Sequence, residues 1–192
     1  LNEGWNRLLV KVDEGTGSWG FYLRFVNPNG TPATDLGIGY SNQSVIASPD
    51  SSGFFSNFLV IGSFDNSIDS KFDFEYVNEI LASPLAGQSV SGKTWNQHAD
   101  SNNLINFNTI FSPDNDNAIG YAFAYVYANS TRIFSLRAGS DDGIKVFLNG
   151  ENVINHHIHR GAAPDQESGS SIKFIGSTNG TSMFLTTSAL PD

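Results

Sequence analysis

The stretch that decides the fold is "GSDDGIKVFLNG", residues 139–150. After two adjacent acids, aliphatic residues occupy every second position (Ile144, Val146 and Leu148) until the run stops at an Asn-Gly pair. Because successive side chains of a strand point to opposite faces, these three aliphatic side chains are expected to share one face of a sheet. Asn-Gly is typical of a tight turn, so the stretch predicts a β-strand that ends in a turn.

The same alternation recurs along the chain and predicts an all-β protein. Eight segments rich in β-branched and aromatic residues carry it: 7–12, 19–26, 58–64, 118–128, 132–138, 143–150, 171–176 and 182–187. Turn-forming runs of Asn, Pro, Asp and Gly separate them. Seven or eight short strands joined in this way indicate an antiparallel, jelly-roll-like β-sandwich. Helical periodicity is limited to 74–82, with one further turn expected within 103–111.

Composition narrows the class of protein. The 192 residues, of which 39% are hydrophobic and 15% charged, suffice for one domain with a substantial core. A net charge of -9, with only ten Lys and Arg, argues against a nucleic-acid partner. No run approaches the length of about eighteen apolar residues that a membrane-spanning helix needs, so membrane insertion is not expected. The chain has no cysteine, so its stability must come from packing or from bound ions.

We expect a single β-sandwich domain over residues 1–192. Within it, residues 1–26 supply strands that close the sandwich, residues 27–57 form a loop or seam, and residues 58–192 form the main body. The sequence opens abruptly on a strand-like segment and shows no signal peptide. We therefore expect the chain to be a piece of a longer protein whose export signal lies elsewhere.

Three segments (121–166, 1–25 and 58–66) resemble a family of bacterial extracellular β-sandwich modules. The family is related to galactose-binding-like and protective-antigen-type lectin domains, and its modules are appended to glycoside hydrolases and other secreted enzymes. The resemblance implies a secreted or cell-surface location, with a polysaccharide or glycan and neighbouring domains of a larger protein as partners. In the family, the pair of strands that corresponds to residues 1–25 comes last in the sequence. This chain therefore resembles either a circular permutant or a module cut from a tandem array.

The adjacent acids Asp141 and Asp142 are the sharpest candidate site. In protective-antigen-type lectin domains a similar Asp pair holds calcium, which in turn holds sugar hydroxyls, so the resemblance implies calcium ligands here. Hard oxygen ligands at a turn suit calcium, and Asn149 is a candidate further ligand. The alternative is that one of the two acids caps a turn by accepting backbone N–H groups before Gly143.

The stretch "NHHIHRG" contains three of the four histidines. In an extended strand His157 and His159 share a face, a spacing that can bind zinc if His98 converges on them. The family resemblance instead places His159 and Arg160 in a recurrent loop, with Arg160 bonding carbonyl groups or Asp165. His157, His159, Arg160 and Asp165 are therefore candidate ligand-contacting residues as well as candidate structural ones.

The three tryptophans are candidate platforms for sugar rings, because apolar pyranose faces stack on aromatic rings. Trp5 and Trp19 lie in strands that we expect to be part of the core. Trp95 lies in the polar stretch 91–101, so it is the tryptophan expected to be exposed. Trp95 therefore joins the candidate ligand-binding residues.

Nothing in the sequence indicates catalysis. It contains no nucleophile elbow, no helical His-Glu motif and no phosphate-binding loop, and adjacent acids on one strand point to opposite faces. We therefore expect no enzyme but a non-catalytic carbohydrate-binding accessory module, with calcium as its candidate cofactor. The alternative is a structural or interaction module that packs against a catalytic domain and binds no ligand. That alternative predicts an exposed apolar patch.

Overall fold

The computed structural model of the chain describes residues 1–67, 71–113 and 116–166 and the backbone of residues 171–172. Its elements are nearly all strands, and every strand pair is antiparallel, which confirms the predicted fold class. They are β1 (Gly4–Glu14), β2 (Gly20–Val26), β3 (Gly37–Gly39), β4 (Asn57–Asp65), β5 (Ser89–Val90), β6 (Lys93–Thr94), β7 (Asn96–Ala99), β8 (Ile105–Asn106), α1 (Phe107–Ile110), β9 (Ala118–Ala128), β10 (Phe134–Asp141), β11 (Ile144–Leu148), β12 (Glu151–His156) and β13 (Ser171–Ile172).

Some of the local structure predicted from the sequence is confirmed and some is wrong. The longest alternating run coincides with β9, and the turn expected within 103–111 is the single helical turn α1. The helix predicted for 74–82 is wrong, because that segment forms turns. Its buried residues Val77 and Glu79 are two positions apart, a spacing that suits an extended chain lying on a sheet rather than a helix face. Of the last two predicted strands, only the first two residues form β13; residues 173–192 lie outside the described residues.

Two antiparallel sheets make up the sandwich. The larger sheet has the strand order β12-β11-β1-β9-β4-β7, with β3 also paired to β9. The smaller sheet has the order β13-β10-β2-β8, and β5 and β6 form a separate two-stranded ribbon. The chain passes from the smaller sheet to the larger one between β10 and β11, across Asp142 and Gly143. The finer jelly-roll connectivity stays a prediction.

The first strands of the chain complete its own sandwich. β1 lies in the middle of the larger sheet, where Lys11 pairs with Tyr121 of β9 on one side and with Lys145 of β11 on the other. β2 lies between β10 and β8 in the smaller sheet. Residues 1–26 thus close the sandwich within the chain itself, and the choice between a circular permutant and a module cut from a tandem array stays a prediction.

The principal core lies between the two sheets, and the alternation of the sequence determines which residues enter it. Leu8, Val10 and Val12 of β1 point inward, as do the three aliphatic residues of β11 that the opening stretch predicted. Segment 27–57 adds further buried residues to this core, including Phe55. Burial of this apolar surface is the main source of stability in a chain without disulfides.

A second apolar cluster covers the outer face of the larger sheet. Leu9, Phe123 and Phe147 point to this side, and residues from the irregular segment 71–99, among them Trp95, pack over them. The larger sheet is therefore buried on both faces. Its end near Glu14, Asp141 and Asp142 is where the site described next is built.

Candidate metal centre

Three carboxylates converge at one end of the sandwich. Glu14 is the last residue of β1, Asp141 is the last residue of β10, and Asp142 follows where the chain crosses between the sheets. One carboxylate oxygen from each of the three lies within 4.8 Å of the others. The two sheets thus each bring an acid to the same point, and the crossing segment adds the third.

The backbone at Asp142 explains how two adjacent acids reach one point. Asp142 has φ +55°, in the left-handed region, so the strand ends there and the two side chains no longer alternate across a sheet. The Ser140 hydroxyl donates to the Asp142 carbonyl at 2.6 Å, and the Asp142 N–H donates to the Arg160 carbonyl at 3.0 Å. Gly143 must follow, because a Cβ there would lie 2.3 Å from Asp13 Oδ1.

The Asp142 carboxylate also joins two loops that are distant in sequence. Its Oδ2 accepts the N–H of Gly15 at 2.9 Å, and its Oδ1 accepts the N–H of Arg160 at 3.0 Å. His159 Nδ1 lies 3.3 Å from the same Oδ2. The proposed capping of backbone N–H groups is therefore observed, although the groups belong to other loops. Each carboxylate oxygen has two lone-pair sites, so these hydrogen bonds leave room for a cation.

Glu14 carries the strongest electrostatic signal of the site. Its side chain is completely buried, and neither carboxylate oxygen has a hydrogen-bond partner among the residues that the structure describes. Burial, reinforced by the neighbouring charges of Asp142 and Asp141, raises the pKa of Glu14 from 4.5 to about 8. Burial and the Asp142 charge likewise raise the pKa of Asp141. The cluster therefore has more negative charge than the surrounding groups neutralise.

This donor set fits a hard divalent cation. A buried carboxylate without a partner is costly unless it is protonated, paired with a positive charge or bound to a metal. Calcium takes six to eight oxygen ligands in flexible geometry and magnesium takes six, so carboxylates suit both ions. Glu14, Asp141 and Asp142 are the residues of the described chain that could hold such an ion.

Glu14 was missing from the sequence-based candidates. Leu8, Val10 and Val12 alternate on the inner face of β1, and continuing that pattern puts residue 14 on the same inner face. An acid at an inner position, at the end of a buried strand, was the signal that could have found it. Its distance from Asp141 along the chain concealed the relationship.

Asn149 does not reach the site. It follows β11 at the opposite end of the larger sheet, where its Oδ1 accepts the Arg7 N–H at 2.9 Å and its Nδ2 donates to Asn6 Oδ1 at 2.9 Å. Seven residues of β1 separate Arg7 from Glu14, which corresponds to about 23 Å of extended strand. The prediction that Asn149 supplies a ligand to the same ion is therefore corrected, because β11 runs away from the acids.

The histidines do not form a three-histidine site. His157 stacks on Phe72 with ring centroids 4.3 Å apart, and its Nε2 lies 3.0 Å from Asp13 Oδ2, on the outer side of the larger sheet. His159 contacts Asp142 at the rim of the acidic cluster. His98 lies on β7, at the edge of the larger sheet opposite β12. Five strand spacings, about 24 Å, separate these edges, so His98 does not converge on the other two.

Arg160 and Asp165 have different structural partners. The Arg160 N–H donates to the Asp142 carboxylate, and the Arg160 carbonyl accepts the Asp142 N–H. The Arg160 Nη2 lies 3.4 Å from Ser140 Oγ. Asp165 instead accepts two hydrogen bonds from the Arg24 guanidinium, with Arg24 Nε at 2.8 Å from Oδ1. The expected pairing between Arg160 and Asp165 is thus replaced by one between Arg24 and Asp165, which fixes the 161–166 loop onto β2.

The tryptophans are buried to different extents. Trp19 is in the principal core, as predicted, and Trp5 is half-buried. Trp95 is only 2% exposed, so the expectation of an exposed sugar platform is wrong. The polar residues around Trp95 in the sequence belong to the segment that folds over the outer face of the larger sheet, and that segment carries the ring into the second apolar cluster.

Comparison with known protein families, with curated proteins and with solved structures finds no match for this chain. In the part of the chain that the structure describes, no helix is both long enough and apolar enough to cross a membrane. The functional argument therefore rests on the residues and on the geometry of the acidic cluster.

Proposed function

We propose that this domain is a non-catalytic accessory module of a secreted or cell-surface bacterial protein, and that it binds carbohydrate with the help of a divalent cation, calcium. The observation that supports it best is the buried carboxylate of Glu14, which faces Asp141 and Asp142 without a positively charged partner. Such a group is stabilised by a bound cation, and the part of the chain that the structure describes places no hydrogen-bonded cation at Glu14.

The position of the cluster supports a role in binding as well as in stability. Glu14 is deeply buried, but Asp141 is half-buried and the neighbouring His159 side chain is 60% exposed. One side of the cluster is therefore open to solvent. Calcium takes six to eight oxygen ligands, and three carboxylates do not have to supply all of them. The remaining coordination positions accept water or the hydroxyl groups of a sugar. Carbohydrate is the ligand class that presents many such hydroxyls on a flexible, uncharged chain.

An interaction module without its own ligand is the second candidate, and one observation favours it. Segment 71–99, which packs over the outer face of the larger sheet, is called the covering segment. Four of its large apolar side chains are 55 to 65% exposed: Phe74, Ile80, Leu81 and Leu85. Leu81 also lines a pocket of about 310 Å³ that reaches Trp95. Exposed apolar groups concentrated in one segment are typical of a surface that packs against another domain.

Thermal unfolding with calcium and with a chelator tests the cation. A ligand at 100 times its dissociation constant stabilises the folded state by about 2.7 kcal/mol, which for a domain of this size raises Tm by about 5–10 °C. We expect this rise in the wild-type domain and in Glu3→Gln, which removes an exposed acid, but not in Glu14→Gln. Identical curves with calcium and with chelator would contradict the proposal.

Binding to insoluble cellulose, chitin and xylan separates the two candidate functions. If the module binds carbohydrate through its cation, at least one of these polymers retains more of the domain with calcium than with chelator. Glu14→Gln should lose this calcium-dependent retention, while Glu3→Gln should behave as the wild type. Calcium-dependent stabilisation without retention on any polymer would favour the interaction module.

A further inference from the structure

A second cleft, separate from the acidic cluster, lies at the open β4–β7 edge of the sandwich. It has a volume of about 420 Å³ and lies between β4 and β7 of the larger sheet and the α1 turn that follows β8 of the smaller sheet. Volumes of this size are within the range of small-molecule sites, which is about 300–1,000 Å³. β7 is the terminal strand of the larger sheet, so the cleft is reached directly from solvent.

The cleft is lined by four exposed, uncharged polar residues and by the half-buried imidazole of His98. The four exposed residues are Thr94, Asn96, Gln97 and Thr109. Together they offer two amides and two hydroxyls, which both donate and accept hydrogen bonds. The Asn96 amide donates to the Thr94 carbonyl at 3.0 Å, which holds it at the edge of the cleft.

An aromatic ring completes the cleft and is held rigidly. Phe111 is half-buried, and its ring packs against Trp19 and Phe107 with centroids 5.4 and 5.1 Å apart. A Cβ at Gly62 would lie 3.0 Å from two Phe111 ring atoms, so the glycine of β4 makes room for the ring. A fixed aromatic face beside amides and hydroxyls needs little ordering when a ligand binds, which favours affinity.

The chemistry of the lining selects the class of ligand. Among the residues described around the cleft, none that lines it is Lys, Arg, Asp or Glu, and the Nε2 of the lining residue His98 lies 3.5 Å from Asp100 Oδ2. An anion therefore finds no Lys or Arg there, and a metal ion finds a single imidazole and no lining carboxylate. An anion is further disfavoured by the chain's net charge of -9. A purely apolar ligand would bury the amides without replacing their hydrogen bonds to water. A neutral molecule with hydroxyls on its edges and an apolar C–H face satisfies both the amides and the ring.

We infer that this cleft, lined by Thr94, Asn96, Gln97, Thr109 and Phe111, is a binding site for a neutral oligosaccharide that does not require the cation of the acidic cluster. The ligand class is shared with the proposed function, but the site and its chemistry are separate. The module thus has two contact points for glycan, one dependent on calcium and one that needs no ion.

The test is an NMR titration of the ¹⁵N-labelled 192-residue domain in the presence of chelator. The probes are four neutral hexasaccharides: β-1,4-linked and β-1,3-linked glucose, α-1,4-linked glucose, and β-1,4-linked xylose, each to about 10 mM because a shallow site binds weakly. We expect at least one to shift the side-chain amide signals of Asn96 and Gln97. Asn96→Ala and Thr109→Ala should each weaken binding about tenfold, since Asn96 lies opposite Val60 on the inner face of the larger sheet. The matched control Gln43→Ala, which removes an exposed amide elsewhere, should leave it unchanged.

Three results would overturn the inference. One is the absence of shifts at Asn96 and Gln97 with all four sugars, in a domain whose spectrum shows that it is folded. Another is binding that requires calcium and shifts only signals near Asp141, which would leave the proposed function standing without this cleft. The third is a cleft that responds only to an extended uncharged peptide pairing with β7, which would make it a strand-addition site.

Discussion

Two buried glutamates lie against the larger sheet on opposite faces, and they differ in what neutralises them. On the outer face, Glu79 accepts from Lys11 Nζ at 2.9 Å and from the Tyr121 hydroxyl at 2.9 Å. On the inner face, Glu14 has no hydrogen-bond partner among the described residues and lies beside Asp141 and Asp142. Among the described residues, Glu79 is paired with a lysine, whereas the groups that face Glu14 are two further acids.

Glu79 has a structural role in the fold, whereas we propose that Glu14 has a role in binding. Lys11 also donates to the Phe74 carbonyl at 2.7 Å, so the outer network attaches the covering segment to β1. Burial lowers the pKa of Lys11, although the hydrogen bond and the charge of Glu79 oppose this shift. Charges that only hold the fold together are paired within the chain. The buried Glu14 carboxylate has no hydrogen-bond partner among the described residues, and we propose that an external ion stabilises it.

The largest expected effect comes from breaking the paired network. Lys11→Met leaves Glu79 buried without its cation, and the free energy of unfolding should fall by about 3–5 kcal/mol. Urea denaturation measures this loss. The double variant Lys11→Met, Glu79→Gln should recover a large part of it, because no unpaired charge remains. A loss under about 1 kcal/mol in Lys11→Met would show that the pair is not needed to hold the segment.

The next effect is the pH dependence that Glu14 imposes when no divalent ion is present. The folded protein releases the Glu14 proton near pH 8, whereas the unfolded chain releases it near 4.5. Between these values the folded state holds a proton that the unfolded state has lost. The stability contributed by this group is therefore fully present below about pH 4.5 and falls as pH rises towards 8, by about 1 kcal/mol per pH unit.

Urea denaturation in chelator at pH 5, 6, 7 and 8 measures this dependence, with pH steps of one unit chosen to span the interval from 4.5 to about 8. Glu14→Gln cannot titrate, so its stability should vary less over the same interval. Calcium should reverse the wild-type trend, because the ion binds the deprotonated carboxylate and competes with protons. Parallel pH profiles for the wild type and Glu14→Gln would contradict the raised pKa.

The smallest expected effect on stability comes from an exposed ion pair, which can be compared with the buried pair of Lys11 and Glu79. Asp35 accepts from the Arg132 guanidinium at 2.7 Å, but its side chain is 50% exposed. Asp35→Asn should therefore reduce the free energy of unfolding by under about 1 kcal/mol. The same urea experiment checks it. A loss as large as that of Lys11→Met would mean that burial is not what distinguishes the two ion pairs.

Sequence patterns predicted the strands well because strand structure depends on local alternation. β9 was predicted over its full length, and the inward face of β11 was assigned correctly. The segment 74–82 was not, because its turns follow from tertiary contacts such as the ion pair of Glu79 with Lys11. Its local composition favours a helix, and the contact with β1 overrides that preference.

The candidate site was predictable in part. The adjacent acids Asp141 and Asp142 marked its location, since a turn with two carboxylates next to a strand suits a cation. Glu14 was not found, because its neighbours across the cluster are distant in sequence: Gly15, the next residue, bonds Asp142 from 127 positions away. Trp95 was misassigned, because whether a polar segment covers a sheet or faces water is not encoded in its own residues.

The sequence by itself determined the β-strand class, the turns, the acidic balance and the dependence on packing rather than disulfides, because these follow from side-chain alternation and composition. Only the tertiary structure decided the register that brings Glu14 to Asp141 and Asp142 and carries Asn149 to the other end of the sheet. The physical reason is that strand pairing is non-local: a register fixes which distant charges meet, and burial then determines how strongly they interact.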